Sequence, residues 1–192
     1  MQSWLDYFTL GMQSIVHLNG YGHLLFIIAM CGIYTLTTWK KVTSLMLYFV
    51  AAFIITFIIS AYNLLEFPEN IFTYLVPFTI LFTAISNFNR KKQAFTNRYP
   101  TQNYRYYLSF LSGLVHGFAF QNALNFVNQS QLQNHIFSFV LGIVITLGLI
   151  VFFLLVAVFI ITYFLRFHLR EWNLIISGGC AGIAIYILLS LL

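Results

Sequence analysis

The stretch IFSFVLGIVITLGLIVFFLLVAVFIITYFL, residues 136–165, runs for 30 positions without a charged side chain. A bilayer core about 30 Å thick is crossed by about 20 mostly apolar residues in helical form, so this stretch is long enough to span. The rest of the chain has the same character. Of 192 residues, 60% are hydrophobic and only 7% charged. A soluble domain carries roughly 25% charged residues, so this chain cannot clothe itself for water. It reads as an all-α integral membrane protein, a single polytopic domain over residues 1–192 with no separate soluble part. Cys31 and Cys180 both lie in apolar runs and imply no disulfide framework. The opening MQSWLD has no basic start and carries an acid, so no cleavable leader is expected.

Working outward, six stretches qualify as spans, at about 20–38, 42–64, 71–89, 105–127, 134–165 and 173–192. They are ended by TTWKK, LEFPEN, NRKKQAFTNRYPTQN, VNQSQLQN and RFHLREWN. All nine Lys and Arg residues fall in or beside the breaks after spans one, three and five. The break after span two carries Glu66 and Glu69, and the break after span four has no charge. Basic residues are retained on the cytosolic side, so the three basic breaks are expected there and both termini outside. The expected location is a bacterial cytoplasmic (inner) membrane, crossed several times. The net charge of +5 is then a topology signal and implies no nucleic-acid partner. The 89–105 break suits contact with anionic lipid.

Ahead of span one, residues 3–17 are periodic but too short to cross. Leu5, Phe8, Met12, Ile15 and Val16 recur on one face, and Asp6, Thr9, Gln13 and His17 on the other. The pattern predicts a short amphipathic helix at the outer surface, its polar stripe either in water or lining a vestibule.

Ionisable groups inside a bilayer are costly and mark functional positions. No Asp, Glu, Lys or Arg sits at the middle of a span, which argues against a proton relay or a transporter built on buried acids. Histidine remains. His116 lies in SFLSGLVHGFAF, near the middle of span four, among Ser109, Gly113 and Gly117. Small residues at that spacing let a neighbouring helix come close. His116 suits either a buried neutral imidazole bonded to a neighbouring helix or a ligand at mid-depth. In HLNGYGHLLFIIAM, residues 17–30, His17 and His23 flank Gly20 and Gly22 where span one begins. Under the same topology His17, His23 and His135 map to the outer boundary, above His116. Imidazole suits nickel, copper, zinc and iron, so these four histidines are the candidate metal ligands. Cys31 follows His23 by two helical turns and reads as a soft ligand or a packing residue. His168 lies in the RFHLRE break and reads as solvated. SGGCAGIA, residues 177–184, predicts tight packing through Gly178 and Gly182. An intramembrane protease is disfavoured: the SGG lies in the last span with no histidine after it as base. No enzymatic activity is expected.

GYGHLLF at 20–26 and SGLVHGFAF at 112–120 together resemble the HupE/UreJ family, small polytopic proteins of hydrogenase and urease maturation regarded as nickel or cobalt permeases. The likeness runs over roughly residues 8 to 125. It implies that His23, His116, Gly20, Gly113 and Gly117 occupy family positions, with nickel or cobalt as the ion carried. Gly22 stands where the family has an acid before the first histidine. Phe57, Ser86, Val140 and Val144 stand near other polar or acidic family positions. Two functional readings follow. In one, the protein is a transition-metal permease or metal-handling protein with His23 as outer ligand, His116 as mid-depth ligand, and Asp6 and His17 in the vestibule. In the other, the scaffold has lost its ligands and is a non-transporting subunit of a larger membrane assembly. The stripes Gly113/Gly117 and Gly178/Gly182 would then contact partner proteins or a second copy of the chain.

Overall fold

The computed structural model of the chain describes residues 4–16, 21–65, 67–88, 103–122 and 129–192. Among these residues every regular element is a helix: α1 Trp4–Val16, α2 Tyr21–Cys31, α3 Trp39–Ala61, α4 Glu69–Phe88, α5 Asn103–Asn122, α6 Gln129–Asn134, α7 Ile136–Tyr163 and α8 Leu169–Ser190. Four segments are long and apolar enough to cross a membrane: Leu36–Ala61, Ile71–Phe88, Ile136–Tyr163 and Leu169–Ser190. The crossings expected at 42–64, 71–89, 134–165 and 173–192 correspond to α3, α4, α7 and α8.

The crossing expected at 20–38 is different. Its helix, α2, stops at Cys31, and the chain turns before a single 3-10 turn, Leu36–Thr38, leads into α3. That turn is capped by threonine: the Thr38 hydroxyl accepts from the Thr35 amide and donates to the Thr35 carbonyl, so these bonds mark where the next helical segment begins. An 11-residue helix is about 16 Å long and crosses only about half of the bilayer core. Taken together, α1 and α2 pass the length and hydropathy requirement for a crossing, with axes bent by 69°.

The opening helix is accordingly pressed into the bundle. A Cβ at Gly11 would strike the Phe139 carbonyl, and one at Gly142 the Phe8 carbonyl, so α1 and α7 meet backbone to backbone. Ser138 donates to the Trp4 carbonyl at the same contact. Tyr7, Gly11 and Ile15 form the buried face of α1, while Asp6, Thr9 and Gln13 are exposed. The polar stripe therefore lies on the outside of the bundle and lines no vestibule.

The α3–α5 pair forms the other backbone-close contact, as the small-residue spacing predicts. Ser109 donates to the Leu45 carbonyl at 2.7 Å. A Cβ at Gly113 would meet the Phe49 carbonyl, and one at Gly117 the Phe53 carbonyl and the Thr56 hydroxyl. At 20 residues α5 is long enough to cross, yet it carries more polar residues than the four segments above. Those polar side chains, Arg105, Ser109, Ser112 and His116, are all buried. The α8 expectation fails. Nothing lies within 4 Å of a Cβ placed at Gly178, Gly179 or Gly182. The buried face of α8 is instead Asn173, Ser177, Cys180, Ala181 and Ala184, where two polar side chains make interhelical and intrahelical bonds.

The helix ends sort into two sets. Gln133 donates to the Ala61 carbonyl and Tyr74 to the Leu191 carbonyl, which marks one end. Arg105 bonds Asn87 and Trp172 bonds the Gly32 carbonyl at the other. Lys40, Lys41, Arg105, Arg166 and Arg170, the described basic residues, all belong to this Arg105 end.

Candidate functional site

His23 stands in the first turn of α2 and His116 in the second half of α5. The fold brings His23 of α2 beside His116 of α5. The two rings are 4.8 Å apart between centroids and cross at 82°. Expected one above the other, the two histidines are neighbours.

The hydrogen bonds fix how each ring is used. His23 Nε2 lies 3.1 Å from the His116 carbonyl, which can only accept, so Nε2 carries the proton and Nδ1 the lone pair. The Thr79 hydroxyl donates to the Val76 carbonyl at 2.7 Å and lies 3.0 Å from His116 Nε2. With its one proton on Val76, Thr79 accepts from His116 Nε2, and the lone pair of that ring is again on Nδ1. His116 Nδ1 is buried and has no hydrogen-bond partner. Both rings are thus oriented through Nε2, and the Nδ1 of His116 has no partner. At this spacing the two rings pack edge to face.

Aromatic rings wall the pair. Phe26 lies 4.8 Å and Phe49 5.7 Å from His116, and Phe120 lies 5.1 Å from His23. Phe57, near a polar position of the resembled family, extends this wall by stacking on Phe139. On the open side His23 lines a cavity of about 460 Å³ between α2, α4 and α8, together with Gly22, Thr73, Pro77, Ala119 and Tyr186. Pro77 sits inside α4. It has no amide proton to give the carbonyl four residues back, so the Thr73 carbonyl lacks its helical donor beside this cavity. Gly22 is closed to a side chain: a Cβ there would come within 2.8 Å of Val76 Cγ1. A valine methyl occupies the space that a carboxylate beside His23 would need.

The other expected residues stay apart from the pair. Among the described residues no group of three or more His, Cys, Asp and Glu is placed to hold a metal ion. His135 lies at the α6–α7 junction and stacks on Tyr7 at 4.7 Å, a packing role. His17 and Gly20 lie outside the described residues. Asp6 is on the exposed face of α1. Cys31 is buried in the hydrophobic core, and His168 is exposed where α8 begins.

A second buried cluster, missed in the sequence, occupies the Arg105 end. Arg105 is 3% exposed and donates to Asn87 Oδ1 at 2.7 Å. Asn87 Nδ2 donates to the Ala29 carbonyl, Asn173 to the Asn87 carbonyl, and Ser177 to Asn173. The guanidinium also lies over the Tyr34 ring at 5.8 Å. Four helices, α2, α4, α5 and α8, are joined through this chain of bonds. A signal existed: Thr79, Thr83 and Asn87 recur every four residues along α4, and Arg105 opens α5 at the spacing that carries Ser109 and Ser112 inward.

The family model described as HupE / UreJ protein matches residues 1–190, essentially the whole chain. No curated protein and no solved structure matches.

Proposed function

The chain belongs to the HupE/UreJ family, and on that premise we propose that it handles a nickel- or cobalt-type divalent ion, bound as cargo between His23 and His116. One observation carries this reading. Metal-ligating imidazoles are ordinarily oriented by their second nitrogen donating to a carbonyl or a hydroxyl, and both rings are held that way through Nε2, with His116 Nδ1 left without a partner. His135 and Asp6 have no part in it. With two nitrogen donors and no carboxylate, the site favours borderline ions that accept imidazole over hard, oxygen-seeking ones.

For topology, α1–α2 is one broken crossing and α5 another, making six with the four apolar segments. The Arg105 end, which gathers the basic residues, faces the cytosol, and both termini face away from it. The cavity beside His23 then opens towards the outer half of the bundle.

A second reading has its own support: the α8 face of Gly178, Gly179 and Gly182 is unpacked and suited to a partner helix. In it the chain is a scaffold subunit. One experiment tests the first reading. The protein is purified with nickel, cobalt, zinc or copper, and bound metal per chain is counted for wild type and for His23→Ala with His116→Ala. The proposal predicts about one ion per chain, lost in the double variant. Equal counts in the two would end it.

A further inference from the structure

We propose that the ion's route continues beyond the histidine pair into a closed polar seam between α2, α4 and α5, which ends at the Arg105–Asn87 bond. This rests on the reading of His23 and His116 as an ion site.

Thr79, Thr83 and Asn87 of α4 face His116, Ser112 and Arg105 of α5, and all but the half-buried Thr79 are buried. The two rows are tied at both ends, by Thr79 to His116 at 3.0 Å and by Arg105 to Asn87 at 2.7 Å. From His116 to Arg105 is about 16 Å along a helix, roughly the half of the bilayer that the cavity leaves uncrossed. Between the ties, Thr83 donates to the Thr79 carbonyl, and its oxygen retains its lone pairs.

Three buried polar atoms on this one line have no partner: His116 Nδ1, Ser112 Oγ and Arg105 Nη1. Burying such a group unpaired costs free energy, and a seam that served packing alone would be more stable with Ala or Val in these places. An ion or its waters moving through hydrocarbon needs nitrogen and oxygen partners along the way. The seam supplies them at successive turns. Its far end is shut by a cation. While Arg105 is bonded to Asn87, its charge opposes the exit of a divalent ion, as an arginine in a pore excludes cations. The geometry is that of a carrier open to His23 through the cavity and closed at the Arg105 end.

The test uses the full chain in proteoliposomes with cobalt(II) as probe, comparing wild type, Ser112→Ala and Thr83→Val. Uptake falls roughly tenfold in each variant, with bound cobalt per chain unchanged. The Ser112→Ala melting temperature is unchanged or raised, because an unpaired hydroxyl has been removed. Uptake at the wild-type rate in both variants overturns the seam and leaves the histidine site standing. A wild type that binds cobalt but admits none also overturns it. A wild type that binds none removes the histidine premise and the seam with it. As a measurement independent of those variants, Ser112→Cys with Cys31→Ala and Cys180→Ala is exposed to a small, membrane-impermeant, cationic thiol reagent during cobalt uptake. Modification of Ser112→Cys but not of Leu111→Cys, on the bilayer-facing side, is the result expected. An unmodified Ser112→Cys contradicts the seam.

Discussion

Two polar clusters lie inside this bundle, and their hydrogen bonds run to different ends. In the Arg105–Asn87–Asn173–Ser177 cluster, side chains close on backbone carbonyls of other helices, the Ala29 and Asn87 oxygens among them. Its product is a clamp on α2, α4, α5 and α8. In the His23–His116–Thr79 cluster, each ring is fixed through Nε2, His116 Nδ1 is buried without a partner, and His23 lines a cavity. Burial alone therefore does not separate a structural polar group from a ligand. The unused lone pair does.

The contrast breaks most visibly at Asn87. Asn87→Ala leaves the Arg105 guanidinium without its bond and the Ala29 carbonyl without its donor. Leaving a buried donor or acceptor unsatisfied costs about 1–3 kcal/mol, and more for a charged group, so the variant should melt below wild type in mild detergent. Its folded fraction should still bind metal. An Asn87→Ala protein that melts normally would mean that the cluster clamps nothing.

The histidine cluster should respond the other way. His23→Ala is expected to lower nickel or cobalt affinity by at least about tenfold with a smaller loss in melting temperature than Asn87→Ala. Titration calorimetry read beside a thermal melt separates the two effects. If His23→Ala lowers stability as Asn87→Ala does and leaves affinity unchanged, the histidines are a clamp as well.

A gain of function sharpens the comparison further. Val76→Ala opens the space beside Gly22, and Gly22→Asp in that background adds the carboxylate the site lacks. Affinity should rise about tenfold, as an added ligand on a preformed site would give. Gly22→Asp without Val76→Ala should instead destabilise, because even its Cβ meets the valine methyl. The smallest effect is expected at the open face of α8. Gly182→Leu should change stability by no more than about 0.5 kcal/mol, since nothing lies near a Cβ there. Loss of a co-purifying partner or of a dimer in Gly182→Leu would favour the scaffold reading.

Much of this fold can be read from composition and periodicity. The α3, α4, α7 and α8 crossings follow from apolar length, and the α3–α5 contact from Ser109, Gly113 and Gly117 at four-residue spacing. Residues 20–38 mislead because an apolar run does not show that the helix stops at Cys31 and that a new helical segment, capped by Thr35, starts at Leu36. The shortened α2 packs its first-turn histidine beside His116. Gly178 and Gly182 show the reverse limit, since small-residue spacing marks where a helix can approach and does not show that one does. Arg105 and Asn87 are hidden for a related reason. A basic residue beside a loop reads as a topology marker, and its burial emerges only when α2 ends against it.

The central claim is that one ion is shared by imidazoles from α2 and α5. Pulsed electron paramagnetic resonance of the purified chain loaded with copper(II), a spectroscopic stand-in for the cargo, counts coordinated imidazoles directly. The account predicts couplings from two imidazoles, reduced to one in His23→Ala and to one in His116→Ala. A wild-type spectrum without imidazole coupling, or one that neither substitution alters, would contradict it.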